Sequence, residues 1–213
     1  MVTLLIDDKK IDVKEGTNLL RACLENDIYI PNLCYIKGMQ NPPASCRLCF
    51  VEIEGEDHPI ASCTVRVRDD MLVHTDTPRV RRLQKTALQL LLSVHDVDCK
   101  NCPANRKCGL QDMARFLKTA LKSNRFDLFL KKNQVDQSHP FLDYYPNRCV
   151  LCGRCVYVCR DQQKLTELTF AQRGFNTVIG FFGNSQTIPP SCDRCRACAE
   201  VCPVAALLPK REI

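Results

Sequence analysis

The sequence predicts an α+β chain assembled from small units that bound metal, rather than one large apolar core, holds together. Three observations predict it. Residues 1–25 read as strand, turn, strand and helix; two amphipathic stretches flank a loop carrying His95, Cys99, Cys102 and Cys108; and the spacing C-x2-C-x2-C-x3-C occurs twice near the C-terminus. With 16 cysteines and no tryptophan among 213 residues, part of the hydrophobic fraction is thiol rather than core filler. Chains of this make-up depend on cross-links or metal for their stability.

Cysteine at this density means either a disulfide scaffold in a secreted protein or metal ligation inside the cell. The N-terminus meets Asp7 and Asp8 before any apolar run reaches the length of an export signal. The longest apolar run, LQLLLSV at residues 88–94, is far shorter than the roughly 20 residues that cross a bilayer. The expectation is a cytoplasmic protein with reduced thiols, bound metal and no membrane span.

Taken in order, Thr3 to Ile6 and Lys10 to Val13 are β-compatible runs joined through Asp7 and Asp8. Thr17 offers an N-cap for a helix over residues 18–25, with Leu19, Leu20 and Cys23 on one face. The runs CFVEIEG and PIASCTVRV alternate like two further strands. After Pro78, residues Leu83, Ala87, Leu90, Leu91 and Val94 follow helical spacing into His95, and Leu110, Met113, Leu117 and Leu121 repeat the pattern beyond Cys108. Polar residues without periodicity follow. The predicted organisation is a first domain at 1–77, a helical domain at 78–121, a connection at 122–145 and a last domain at 146–213.

The duplicated run carries the strongest chemical signal. Cys149, Cys152, Cys155 and Cys159 spell it once, and Cys192, Cys195, Cys198 and Cys202 spell it again. This is the spacing of bacterial [4Fe-4S] ferredoxins, in which the fourth cysteine of each run ligates the other cluster. Ligation is therefore expected to cross: Cys149, Cys152, Cys155 and Cys202 for cluster one, and Cys192, Cys195, Cys198 and Cys159 for cluster two. The bland alternative, a pair of zinc knuckles, uses C-x2-C pairs with longer gaps. Gly153 eases a tight turn in the first run where Arg196 stands in the second, and Arg160 follows Cys159 where proline follows Cys202.

Two further sets are less decisive by spacing. Cys34, Cys46, Cys49 and Cys63 read C-x11-C-x2-C-x13-C, which differs from the plant-type C-x4-C-x2-C pattern and suits either zinc or [2Fe-2S]. Cys99, Cys102 and Cys108 lack a fourth thiol, and a lone histidine beside cysteines is more often a bystander than a ligand. His58, His74 and His139 have no spaced ligand partners and read as solvated or locally hydrogen-bonded side chains.

The segment PNLCYIKGMQNPPASCRLCFVEI, with ASCTVRV after it, resembles the [2Fe-2S] domain at the N-terminus of the largest peripheral subunit of complex I and of many [FeFe]-hydrogenases. Those families continue with H-x3-C-x2-C-x5-C, which His95, Cys99, Cys102 and Cys108 match position for position. The resemblance then runs through PNRCVLCGRCVYVCRD and SCDRCRACAEVCPVAAL, so it covers essentially the whole chain in the family's order. It implies a β-grasp ferredoxin domain holding [2Fe-2S] on Cys34, Cys46, Cys49 and Cys63. It further implies a small helical domain holding [4Fe-4S] on His95, Cys99, Cys102 and Cys108, and a bacterial-type 2[4Fe-4S] ferredoxin domain. A ligand count agrees: four clusters of four ligands need sixteen, the motifs use fifteen cysteines, and His95 completes the set. Cys23 is then the spare thiol, placed on the apolar face of the first helix, where a small thiol packs well.

The formal charge of +6 suggests a nucleic-acid partner only if every thiol is neutral. Oxidised clusters with their thiolates contribute roughly −7 together, which brings the loaded chain near neutrality, with Arg79, Arg81, Arg82 and Lys85 left as a local basic patch. No G-x-G-x-x-G or G-x-x-x-x-G-K-[ST] fingerprint is present, and no catalytic residue is expected. The expected role is an electron wire between partners: an NAD(P)H- and FMN-binding iron-sulfur subunit on one side, and a hydrogenase, formate dehydrogenase or transhydrogenase subunit on the other. Soluble ferredoxin is a further expected carrier. Members of the family continue far beyond the second run, whereas this sequence reaches LLPKREI soon after it. The expectation is a small iron-sulfur subunit of a soluble NAD-linked complex, electron-bifurcating types included. The competing class is a zinc-dependent interaction or nucleic-acid-binding protein.

Overall fold

The computed structural model describes residues 1–122, 124–183 and 188–210. They form two compact units: residues 1–89 with 113–120, and residues 90–112 with the chain beyond 120.

The first unit is built on a mixed five-stranded sheet of order β2-β1-β5-β3-β4. Strands β1 (Val2–Ile6) and β2 (Lys9–Val13) form an antiparallel hairpin in which Ile6 pairs with Lys9. Its two turn residues, Asp7 and Asp8, both have positive φ, at 46° and 67°, the conformation that matches the strands' right-handed twist. Val2, Leu4, Ile6 and Ile11 point into the core. Helix α1 (Leu19–Glu25) begins one residue later than expected: the Asn18 carboxamide accepts the Arg21 N–H, whereas the Thr17 hydroxyl turns back to the Lys14 carbonyl.

Strand β3 (Phe50–Ile53) follows the predicted alternation, but β4 is only Ile60–Ala61. The chain then tightens into a 3₁₀ turn, Ser62–Thr64, that breaks the expected long strand and presents Cys63. A strand the alternation did not reveal, β5 (Met71–His74), lies parallel to β1 and antiparallel to β3, so it occupies the sheet's centre.

Helix α2 (Pro78–Leu92) starts as predicted, with the Thr77 hydroxyl accepting the Val80 N–H at 3.1 Å and Pro78 in the first turn. Its buried stripe differs from the expected one. Val80, Gln84, Ala87, Leu88 and Leu92 are buried, while Leu90 is 51% exposed. A polar residue hid the true stripe: Gln84 is buried because its amide donates to the Phe50 carbonyl at 3.1 Å. The basic patch anticipated on this helix is partly engaged, since Arg81 pairs with Asp76 and stacks over Phe116, and Arg79 donates to the Asp57 carbonyl.

In the second unit, the loop 95–108 leads into α3 (Gly109–Leu117), which ends before Leu121. The unit's cysteine runs are each framed by two strands. The first lies between β6 (Leu142–Tyr144) and β7 (Leu168–Ala171), and the second between β8 (Val178–Phe181) and β9 (Leu207–Pro209). β6 pairs antiparallel with β9 and β7 with β8, so each copy contributes one strand to each two-stranded ribbon. The first run continues into α4 (Arg154–Tyr157) and a π-helical turn at Val158–Gln162; the second forms α5 (Ser191–Cys195) and α6 (Ala197–Glu200). Gly153 and Arg196, at equivalent positions, both adopt left-handed conformation, with φ of 76° and 45°.

The region read as a polar connection is tied down at several points. Phe129 N–H donates to the Ser93 carbonyl, the Asn147 side chain bonds both N–H and C=O of Lys131, and Asp136 bridges to Tyr144. His139 is buried at 1% exposure, which overturns its reading as a solvated side chain; its local hydrogen bond is present, Nδ1 accepting the Phe141 N–H.

Candidate metal centres

Backbone bends bring the N-terminal cysteines together. Arg47, in left-handed conformation, turns the chain between Cys46 and Cys49. Cys63 is held by the 3₁₀ turn, with the Asn18 amide donating to its carbonyl and the Ser62 hydroxyl donating to the Cys49 carbonyl. All four thiols are nearly inaccessible, at 1–2% exposure, and they hydrogen-bond one another. Bonds from Cys46 and Cys63 hold the Cys34 pKa far below the thiol range, and a bond from Cys63 lowers that of Cys49. As donors to Cys34, Cys46 and Cys63 are pushed up. The set is compact, and its sulfurs share protons that a polynuclear metal centre would displace.

Cys99, Cys102 and Cys108 lie on the loop between α2 and α3, and Cys99 starts a 3₁₀ turn over Cys99–Asn101. Cys108 is buried, which raises its pKa, while backbone N–H groups of Gln111 and Leu110 at the start of α3 partly offset this. His95 is 8% exposed, and its Nδ1 lies 2.9 Å from the Arg148 carbonyl. A carbonyl only accepts, so Nδ1 carries the proton and Nε2 keeps its lone pair. Burial holds the imidazole pKa below its usual value, so the ring is neutral. A neutral ring with one nitrogen anchored on a carbonyl is the form in which histidine binds metal. The loop is seated by Asp96 N–H on the Asn147 carbonyl and Gly109 N–H on the Pro203 carbonyl, at 2.7 and 2.8 Å.

The duplicated runs line two cavities. One, of about 330 Å³ including its mouth, is walled by Cys149, Cys152, Cys155 and Cys202, with Val204 and Ile179 among its apolar surfaces. The other, of about 350 Å³, is walled by Cys159, Cys192, Cys195 and Cys198. Each cavity thus takes three cysteines from one run and the last cysteine from the other. Burial pushes Cys152 and Cys198 up to about 12 and Cys192 to about 11. Such thiols stay protonated at neutral pH without a bound cation. Amide donors already face the sulfurs: Leu151 N–H lies 3.4 Å from Cys149 Sγ and Ala206 N–H 3.2 Å from Cys202 Sγ. Four thiols around a cavity, with N–H groups aimed at sulfur, fit a polynuclear cluster with thiolate ligands. Among the described residues no three His, Cys, Asp or Glu side chains converge on a single-ion position.

Sequence reasoning missed Tyr144 and Glu167, which line cavities one and two respectively, and the carbonyl of Arg148 behind His95. Nothing in their spacing marks them. Cys23 is fully buried on α1, and burial pushes its pKa to about 12.

Residues 1–78 match the family described as a 2Fe-2S iron-sulfur cluster binding domain, and residues 84–119 match the NADH-ubiquinone oxidoreductase-G iron-sulfur binding region. The NADPH-Fe(3+) oxidoreductase subunit alpha of Geobacter sulfurreducens is 33% identical over 99% of this chain and 24% of its own length. An NADH-quinone oxidoreductase subunit of Rhizobium meliloti is 34% identical over 98% of this chain and 24% of its own. The NADP-reducing hydrogenase subunit HndD of Solidesulfovibrio fructosivorans is 33% identical over 98% and 36%. The chain therefore spans between a quarter and about a third of the length of these curated relatives. A chain in the crystal structure of an NAD+-reducing [NiFe]-hydrogenase in the H2-reduced state superimposes with a TM-score of 0.85 at 31% identity, covering 98% of this chain and 87% of that one. No helix among the described residues is long and apolar enough to cross a membrane. Cysteine spacing, cavity geometry and likeness along nearly the whole chain converge: this protein belongs to the iron-sulfur family that includes the matching regions of the NADH-quinone oxidoreductases and of HndD, and that chain of the NAD+-reducing hydrogenase.

Proposed function

We propose that this chain is an electron-transfer subunit holding one [2Fe-2S] and three [4Fe-4S] clusters. The ligand sets are Cys34, Cys46, Cys49 and Cys63; His95, Cys99, Cys102 and Cys108; Cys149, Cys152, Cys155 and Cys202; and Cys192, Cys195, Cys198 and Cys159. The observation that carries the reading is the pair of cavities, each lined by three cysteines of one run and the fourth of the other. When bound, the clusters supply one-electron redox chemistry at potentials set by ligand type, hydrogen bonds and burial.

The chain's residues divide that task. Buried thiols release protons as metal enters, the Arg148 carbonyl fixes the His95 tautomer, and amide N–H groups orient sulfur lone pairs. The three cluster-bearing modules correspond to residues 1–77, 78–121 and 146–213. The relatives are oxidoreductase and hydrogenase subunits, which supports partners of two kinds in the cytoplasm. One is an NAD(P)H- and FMN-binding iron-sulfur subunit; the other is a hydrogenase, formate dehydrogenase or transhydrogenase subunit, within complexes that include electron-bifurcating ones and that also exchange electrons with soluble ferredoxin. The β1-β2 hairpin, α1 and the parallel strand β5 beside β1 support a β-grasp ferredoxin reading of the N-terminal module. The two strand-framed runs support a bacterial-type 2[4Fe-4S] ferredoxin reading of the last.

The test is metal analysis with low-temperature EPR on anaerobically prepared protein. About 14 iron atoms per chain are expected, two from [2Fe-2S] and four from each [4Fe-4S]. Colourless protein holding stoichiometric zinc would overturn the reading in favour of a structural zinc protein. His95→Ala should remove or weaken one [4Fe-4S] signal and spare the [2Fe-2S] signal. Co-purification from the native host identifies the catalytic partner.

A further inference from the structure

Two cavities with the same cysteine spacing differ in what else faces the sulfurs. In cavity one, the Tyr144 ring is 1% exposed on β6, and its oxygen accepts the Ile179 N–H at 3.1 Å. A phenol has one proton and two lone pairs. With a lone pair engaged by the amide, the proton is left to donate, and the Cys149 sulfur, which lines the same cavity and interacts with the phenol, is there to accept it.

Cavity two holds no tyrosine among its lining residues. The half-buried Glu167 carboxylate faces it instead, close enough to Cys159 and Cys192 to oppose negative charge on both, while Arg196 in the same lining has its guanidinium paired with Asp193.

We propose that Tyr144 is the positioning residue that sets the reduction potential of cluster one above that of cluster two, by donating its hydroxyl proton to the Cys149 sulfur. One-electron reduction adds one negative charge to the cluster and its thiolates, with no bond made or broken in the protein. A hydrogen bond to ligand sulfur stabilises the more negative state, and does so strongly in a dry, apolar wall. In cavity two the Glu167 carboxylate acts in the opposite sense. The inference rests on the assignment of Cys149 to cluster one.

The experiment is an EPR-monitored redox titration of the reconstituted full chain and of Tyr144→Phe. The variant should shift the reduction equilibrium of cluster one about tenfold toward the oxidised form, about 59 mV for one electron, and leave the other three couples where they were. Phenylalanine also strips the acceptor from the Ile179 N–H, so a second protein carries 3-fluorotyrosine at position 144, which keeps the shape and strengthens the donor. Its cluster one potential should move upward. An unmoved cluster one potential in Tyr144→Phe, or a downward shift with fluorotyrosine, overturns the proposal. Cys149→Ala identifies the cluster one signal as the one it abolishes. If Cys149→Ala keeps all three [4Fe-4S] signals, it is the ligand assignment that has failed, and the proposal falls with it.

Discussion

Cavity one and cavity two are built from one repeated spacing, yet they meet solvent differently. In the first, Cys149, Cys152 and Cys155 are buried and only Cys202 is half-buried; in the second, Cys159 is buried and Cys192, Cys195 and Cys198 are half-buried. The first has an apolar wall with a tyrosine hydroxyl, and the second has a carboxylate. The difference teaches that spacing sets which sulfurs meet, whereas the strands that frame each run set the field they meet in. Burial and charge, not ligand identity, then separate two sites of the same ligand type.

The crossing of ligands is the part of this comparison most easily broken. Cys202→Ala should cost the buried cluster and Cys159→Ala the more exposed one, each with loss of about four iron atoms. Should Cys202→Ala instead abolish the signal that Cys192→Ala abolishes, ligation would run within each run and the two cavities would not be the sites.

Exposure should also separate the clusters kinetically. With an iron chelator under anaerobic conditions, the signal dependent on Cys192 is expected to bleach several-fold faster than the one dependent on Cys149. Equal rates would mean that the half-exposed thiols do not control access.

Backbone substitutions sharpen the comparison with smaller effects. A Cβ on Gly180 in β8 would lie 2.9 Å from the Ala171 Cβ on β7, so Gly180→Ala should cost about 1–3 kcal/mol in denaturant unfolding. Gly153→Ala should cost about 1 kcal/mol, since a side chain there must adopt left-handed backbone. Arg196 already does so, and its side chain donates to the Asp193 carbonyl at 2.7 Å, so Arg196→Gly should lie within about 0.5 kcal/mol of the parent protein.

A pH-dependent effect concerns the thiol outside all four sets. Burial raises the Cys23 pKa to about 12, so the folded state holds its proton more tightly than the unfolded chain. Its contribution to stability is complete below the ordinary thiol pKa and declines as pH rises toward 12, with a loss of about 1–2 kcal/mol by pH ~10. Urea unfolding at neutral pH and near pH ~10 should show a smaller alkaline loss in Cys23→Ala than in the parent protein. Iron content should be unchanged in the variant.

Part of the candidate site was legible in local spacing. The C-x2-C turns and their doubling are short-range patterns that few other structures require, whereas the His95 loop and the N-terminal set were legible only through resemblance to a known family. The fold was less legible where long-range pairing overrode local pattern. Met71 to His74 form a central strand because β1 and β3 stand ready to pair with them, not because they alternate conspicuously. The α2 stripe was misplaced because Gln84 is buried by one hydrogen bond to Phe50, a partner 34 residues away. His139 looked polar and proved buried, with its Nδ1 satisfied by a neighbouring amide.

Spacing of a few positions was enough to group the cysteines of the repeat and to expect their crossing, which the two cavities match; the other two sets, and with them the spare place of Cys23, came from resemblance along the chain. What surrounds each sulfur follows instead from long-range pairing of the chain. Tyr144 is five residues from Cys149 but 35 from Ile179, and His95 is 53 residues from the Arg148 carbonyl that fixes its tautomer. Hydrogen bonds and low dielectric act through space, so the groups that tune a redox site are chosen by the chain's return path, which no local pattern encodes.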